Sequence, residues 1–174
     1  MGLAATEGSG QGIPCVYALL PSKKEIIYEK LFSVIKEKVG PDVTPNLTIL
    51  TDFEKSVFNA VGKVFPDVIQ RGCRFHRNAA IFAQVGAKGL QSLFYSNGKF
   101  QELVYKCYAL CFVPADLALG VHEEVIVPAV DEGHNTEPEW GEYYEEIEAF
   151  GLYLTNTWLQ RRGGRAPLFP PELW

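Results

Sequence analysis

Residues 47–76 read LTILTDFEKSVFNAVGKVFPDVIQRGCRFH. The apolar run 47–51 is a short strand signal, and it hands over at Asp52 to helical spacing through residue 65. Val57, Ala60, Val61 and Val64 form the inner face of that helix. Pro66 ends it, because proline lacks the amide and restricts the residue before it. Residues 68–72 (VIQRG) form another strand signal. Residues 74–89 are helical and carry Ala79, Ala80, Phe82 and Ala83. Strand alternating with helix implies a parallel sheet with right-handed crossovers.

Upstream, residues 13–20 (IPCVYALL) lie between Gly12 and Pro21 and read as a buried strand. Ser22-Lys23-Lys24-Glu25 has capping-box spacing. Ile27, Leu31, Val34, Ile35 and Lys38 continue a helix that Gly40-Pro41 stops. Residues 1–12 are small and polar and read as a flexible leader.

Beyond about residue 90 strand signals cease. Residues 100–113 are helical through Leu103, Val104, Cys107, Leu110 and Cys111. Pro114 breaks that helix, and Asp116 is placed to cap another that runs to about 127. Residues 128–139 read as an acidic loop, and 140–160 as a helix carrying Tyr143, Ile147, Phe150, Leu154 and Trp158. The expected organisation is a leader (1–12), an α/β core (13–90), a mainly α-helical region (91–162) and an extended tail (163–174).

Hydrophobic residues make up 47% of the 174, enough for a sizeable core. The net charge of -5 opposes phosphate, so any DNA contact needs a local basic patch. The four cysteines are too few for a disulfide scaffold at this length. With no secretory h-region in 1–12, they point to a reducing compartment, nuclear or cytoplasmic rather than secreted. No apolar run reaches the roughly 20 residues of a bilayer span, so no membrane is expected as a partner.

Several residues carry candidate chemistry. Asp52 stands where a strand ends, the edge at which open α/β sheets gather ligands and metals. Its carboxylate suits Mg²⁺, and from position alone a helix cap, which needs no partner residue, is the favoured reading. Glu54 reads as a complement to the helix dipole. Cys73 and His76 have the spacing of half a zinc site, and Cys107 with Cys111, one helical turn apart, are candidates for the other half. The competing reading of Cys107 and Cys111 is an ordinary core helix. Arg71, Arg74 and Arg77 bracket the Cys–His pair and are candidate phosphate contacts, with scattered surface arginine as the alternative. His122 and His134 are isolated, and the stretch 131–148 is acidic without a Lys or Arg.

Taken in order, Pro14-Cys15-Val16-Tyr17-Ala18-Leu19-Leu20-Pro21, Thr51-Asp52-Phe53-Glu54, Phe65-Pro66 and Gly72-Cys73-Arg74-Phe75-His76 resemble the Mutator-like element (MULE) transposase domain. Ala109-Leu110-Cys111-Phe112-Val113-Pro114 and Phe169-Pro170-Pro171-Glu172-Leu173-Trp174 are similar to it too. The resemblance implies an RNase H-like core with an Asp–Asp–Glu metal triad, a helical insertion, and metal-dependent DNA cleavage and strand transfer. It makes Asp52 the second acid and Cys73 and His76 the family's C-x-x-H pair. The first acid belongs on a strand upstream of Val16-Tyr17-Ala18-Leu19, where only the leader stands. The third, a Glu, belongs beyond the segment that contains Glu172. The expectation is therefore a core truncated at both ends, with one catalytic acid of three, and a sheet edge exposed at 13–20 that a protein partner could cover. The alternative is a non-catalytic protein- or DNA-binding module derived from a transposon.

Overall fold

A computed structural model describes residues 2–6, 12–40, 47–161 and 163–174, which pack into two units, 1–70 and 71–174.

The first unit begins with β1 (Gly2–Thr6) and β2 (Gly12–Tyr17), an antiparallel pair with Leu3 opposite Val16 and Ala5 opposite Ile13. Residues 2–6 are thus a strand, not part of a leader. Residue 1 and residues 7–11 of that expected leader lie outside the described residues. β2 is also not the buried strand that its composition suggests. Ile13 is 54% exposed and Tyr17 78%, and from this stretch only Leu20 packs on the unit's core. Hairpin pairing satisfies the backbone of β2 through one edge.

α1 (Glu25–Val39) follows, then β3 (Thr48–Thr51), α2 (Lys55–Val64) and β4 (Ile69–Gly72). β3 and β4 form a second small sheet, parallel as the crossover expects, and the Ile69 amide donates to the Leu47 carbonyl at 3.1 Å. Among the described residues the strands form two two-stranded sheets rather than one continuous sheet. The core lies between the helices: Tyr28 and Phe32 of α1 meet Val57, Ala60 and Val61 of α2, with Phe65 beside them and Ile49 and Val68 packed against the cluster. Stacked and edge-on ring contacts of Phe32 with Tyr28 and Phe65 fix the register.

The capping box at Ser22 does not form. The N-cap of α1 is Lys24, with no side-chain cap bond. Glu25 is used across the helix pair instead, where it accepts from Asn59 at 2.7 Å and pairs with Lys63. Gly40, at φ 77, closes α1 with its amide on the Lys36 carbonyl, a conformation that favours glycine. Lys36 caps the other helix: its ammonium donates to the Val64 carbonyl at 2.7 Å and lies over the Phe65 ring.

The second unit is helical. α3 (Arg74–Ala87), α4 (Gln91–Ser96) and α5 (Gly98–Ala109) are followed by a 3-10 turn, Leu110–Phe112. α6 (Ala118–Val121) runs through a π-helical turn, His122–Ile126, into α7 (Val127–Thr136). A 3-10 stretch, Pro138–Tyr143, leads to α8 (Tyr144–Leu154), which ends in a second π-helical turn, Thr155–Leu159.

The buried face of α3 is Arg77, Ile81 and Val85, four residues apart. Burying Ile and Val there removes more apolar area from water than burying Ala would. Residues 128–139, expected as an acidic loop, are mostly helical. Pro128 sits in the first turn of α7, directly after the π-helical turn, where its missing amide breaks no regular helical ladder.

The tail is docked rather than free. The amides of Leu168 and Phe169 donate to the carbonyls of Asn156 and Thr157, at 3.3 and 2.8 Å. The Phe169 ring lies 5.6 Å from that of Trp158. Among the described residues no helix is long and apolar enough to cross a membrane.

Candidate functional site

Asp52 follows β3 directly and precedes α2 by two residues. It is exposed, and the helix N-cap is Glu54 instead, so the capping role read for Asp52 from its position is not the one it holds. Thr51 before it is buried with its hydroxyl unpaired.

Glu54 is tied down. It accepts from the Lys23 ammonium at 3.1 Å and from the Ser56 hydroxyl at 3.0 Å, and the Tyr28 phenol also donates to it. Partial burial works to raise the Glu54 pKa, but these hydrogen bonds and the Lys23 charge outweigh it and hold the carboxyl below its ordinary range. Tyr28 responds in the opposite sense. Burial first, then the hydrogen bond to Glu54 and the negative charge of Glu54 and Asp52, push its phenol up to about 12. The first unit thus presents one carboxylate to solvent at the end of β3 and a second held by Lys23, Ser56 and Tyr28.

In the second unit Cys73 is the half-buried N-cap residue of α3, without a side-chain cap bond. His76 is exposed in the first turn of that helix, edge-on to Phe75 at 5.7 Å. Cys107 is fully buried in α5, where burial pushes its thiol up to about 12. Cys111 lies in the 3-10 turn beyond. Among the described residues no three His, Cys, Asp or Glu side chains come together as a metal-binding group. Cys73, His76, Cys107 and Cys111 therefore do not assemble the four-ligand zinc site, and among the described residues Asp52 belongs to no metal-binding group. The described residues alone do not form a two-metal centre, which needs several carboxylates around ions roughly 3.5–4 Å apart.

The three candidate phosphate-binding arginines separate. Arg71 is exposed and donates to the Glu172 carbonyl at 3.0 Å. Arg74 is exposed, with its guanidinium 5.2 Å from the centre of the Phe112 ring. Arg77 is 0% exposed and cannot touch a phosphate. Its guanidinium donates to the Cys107 carbonyl at 3.2 and 3.3 Å and to that of Tyr108 at 3.4 Å. Those carbonyls lie in the last turn of α5, whose dipole favours a cation. Trp158 and Trp174 stack over the same group, at 5.3 and 4.1 Å. Burial pulls the Arg77 pKa down to about 10, so it remains charged at neutral pH.

A second polar hub is Asn97, the N-cap of α5. Its Oδ1 accepts from the Phe100 amide at 2.9 Å and from the Trp140 indole at 3.3 Å, while its amide donates to Glu137 at 2.9 Å. Neither hub was read from the sequence. A cation three residues into an arginine-rich stretch looks like surface, although the spacing of Arg77 to Ile81 and Val85 marks it as inward. His122 reads from the sequence as an isolated, satisfied or solvent-exposed histidine. It is 7% exposed, and its placement between Ala118 and Ile126 at four-residue intervals is the signal.

Residues 1–80 match the family MULE transposase domain. No curated protein and no solved structure matches the chain.

Proposed function

We propose that this chain carries a transposon-derived, DNA-facing domain that does not cleave DNA by itself. The observation that carries this reading is the match of residues 1–80 to the MULE transposase domain, together with the exposed placement of Asp52 at the end of β3. In this reading Asp52 is a catalytic, metal-ligating carboxylate by descent, toward Mg²⁺ or Mn²⁺. The RNase H-like character of the 13–90 region belongs to the same reading. Its β3–α2–β4 crossover supports it.

DNA contact falls to the exposed guanidiniums of Arg71 and Arg74, because the overall charge of -5 opposes phosphate elsewhere. A contact made through few phosphates is weak and strongly salt-dependent. Fluorescence anisotropy with a duplex oligonucleotide tests it. The log–log slope of affinity against salt should be about -1 to -2, and Arg71→Ala with Arg74→Ala should flatten it by about 1 to 2. Failure to bind at about 50 mM salt, where phosphate contacts are strong, rejects the DNA-facing reading.

That failure would favour a second reading, a protein-binding module of transposon origin. The exposed apolar side chains of the first unit, Ile13, Tyr17, Leu19, Leu50 and Ile69, are the observation in its favour.

A further inference from the structure

We propose that the helical unit binds a small organic cation, a primary amine on an apolar body, in the cleft between α7 and α8. The cleft measures about 340 Å³, at the small end of the roughly 300–1,000 Å³ typical of ligand sites. Val127 and Val130 of α7 form one wall and Gly151 and Leu152 of α8 the other, over a buried floor that includes Leu103 and Ile147. The walls are open to solvent, with Val127 43% exposed and Leu152 48%. An incoming apolar body thus covers side chains that water already reaches, which is favourable.

Each wall carries a carboxylate one helical turn from its apolar side chain: Asp131 after Val127, and Glu148 before Leu152. Both carboxylates are exposed, so a molecule seated in the cleft can reach them. Asn135 donates to the backbone carbonyl of Asp131, at 2.8 Å, and leaves its carboxylate free to accept. His134 Nε2 lies 3.9 Å from Glu148 Oε1 and makes no hydrogen bond to it. An ammonium group brings three donors and no acceptor, which matches two carboxylates with acceptor capacity to spare. The Thr155 hydroxyl, also at the cleft, is already spent on the Gly151 carbonyl at 2.9 Å.

The remaining groups leave that negative charge uncompensated. Burial lowers the His122 pKa and pushes the Cys107 thiol up to about 12, so the other titratable side chains at the cleft are neutral at physiological pH. No Lys or Arg occurs in the sequence between Lys106 and Arg161. Lys99 is paired with Glu132 and Glu137, which do not line the cleft. The local field therefore attracts a cation and opposes an anion. The lining stretch of α8, from Glu148 to Thr155, rises about 10 Å, which suits one ring with a two-carbon amine chain. Both π-helical turns border the cleft, through Ile126 and Thr155, and such turns recur at functional sites. None of this depends on the transposase reading of residues 1–80.

The test uses the full chain at neutral pH and three probes of similar shape, 2-phenylethylamine, 2-phenylethanol and 3-phenylpropanoate, followed by NMR of the Val and Leu methyl groups. Saturable shifts at Val127, Val130 and Leu152 are expected with the amine. The alcohol should bind about fivefold more weakly, the upper range for an exposed ion pair, and the carboxylate more weakly still. Asp131→Asn combined with Glu148→Gln should bring the amine down to the level of the alcohol and leave the alcohol unchanged. Three results overturn the proposal: no saturable shift at those methyl groups with the amine, equal affinity for amine and alcohol in the wild type, or a preference for the amine that survives in the double variant. Should the double variant fail to fold, the wild-type ranking decides alone.

Discussion

The Arg77 guanidinium lies 4.1 Å from the centre of the Trp174 ring, and Arg77 is 0% exposed. No carboxylate accepts from this buried cation among its described hydrogen bonds. Two carbonyls of α5 and two indole faces hold it. It therefore joins three segments of the helical unit: α3, the end of α5, and the tail that ends in the Phe169–Trp174 stretch. The Trp174 indole in turn donates to the Phe169 carbonyl at 3.0 Å.

Replacing Arg77 with Met strands the Cys107 and Tyr108 carbonyls in the interior. The expected cost is about 2–4 kcal/mol, from lost charge-assisted bonds and unsatisfied acceptors. A double-mutant cycle with Trp174→Ala, read by urea denaturation, should return a coupling of about 1–2 kcal/mol for the cation–π contact. Additive effects would mean that Trp174 merely lies near Arg77.

Asn97→Ala removes the cap of α5 and the acceptor of the buried Trp140 indole together. Loss of a cap costs about 0.5–2 kcal/mol, and an unpaired buried donor adds about 1–3 kcal/mol. Asn97→Ser keeps a cap acceptor for the Phe100 amide but is too short to reach the indole, so it should recover the cap's share alone. If Asn97→Ser unfolds at the same urea concentration as the wild type, the indole bond contributes little.

Gly133 is the position where α7 admits Trp140. A Cβ built there would overlap the Trp140 ring. Gly133→Ala should destabilise by about 1–3 kcal/mol, the range for forcing a well-packed core to shift. Near-UV circular dichroism should show the tryptophan environment altered. An unchanged spectrum and unchanged stability would contradict this packing.

Glu54 links stability to pH. Its carboxyl is held below its ordinary value, so its contribution is fully present above the unfolded value near 4.5 and is lost as pH falls through the lower folded value. The melting temperature of the wild type should fall more steeply below pH 4.5 than that of Glu54→Gln. Parallel curves would show that Lys23, Ser56 and Tyr28 do not stabilise the charged form.

The legible parts of this chain were those where side-chain type and spacing agree. β3, α2 and β4 follow from an apolar run, a helical stripe ended by Pro66, and a second short run. Leu103, Val104 and Cys107 announced the inner face of α5 in the same way. What escaped reading has physical reasons. β1 is short, with Leu3 as its one large apolar residue, and its pairing with β2 is a backbone event that such a stretch does not announce. Pro128 signalled a break, but the π-helical turn before it removed the conflict. At the candidate site, Asp52 was visible as a carboxylate at a strand end. Which side chains gather around it is a matter of three-dimensional placement, as is the fate of Arg77, whose charge pointed outward while its spacing pointed in.

The central claim is the proposal that this chain does not cleave DNA by itself: residues 1–80 match the transposase domain, and among the described residues no metal-binding group of carboxylates is assembled. Incubating the purified chain with supercoiled plasmid and Mg²⁺ or Mn²⁺ measures this directly. The account predicts no conversion to nicked circles above a metal-free control, for the wild type and for Asp52→Ala alike. Metal-dependent nicking by the wild type that disappears in Asp52→Ala would contradict it.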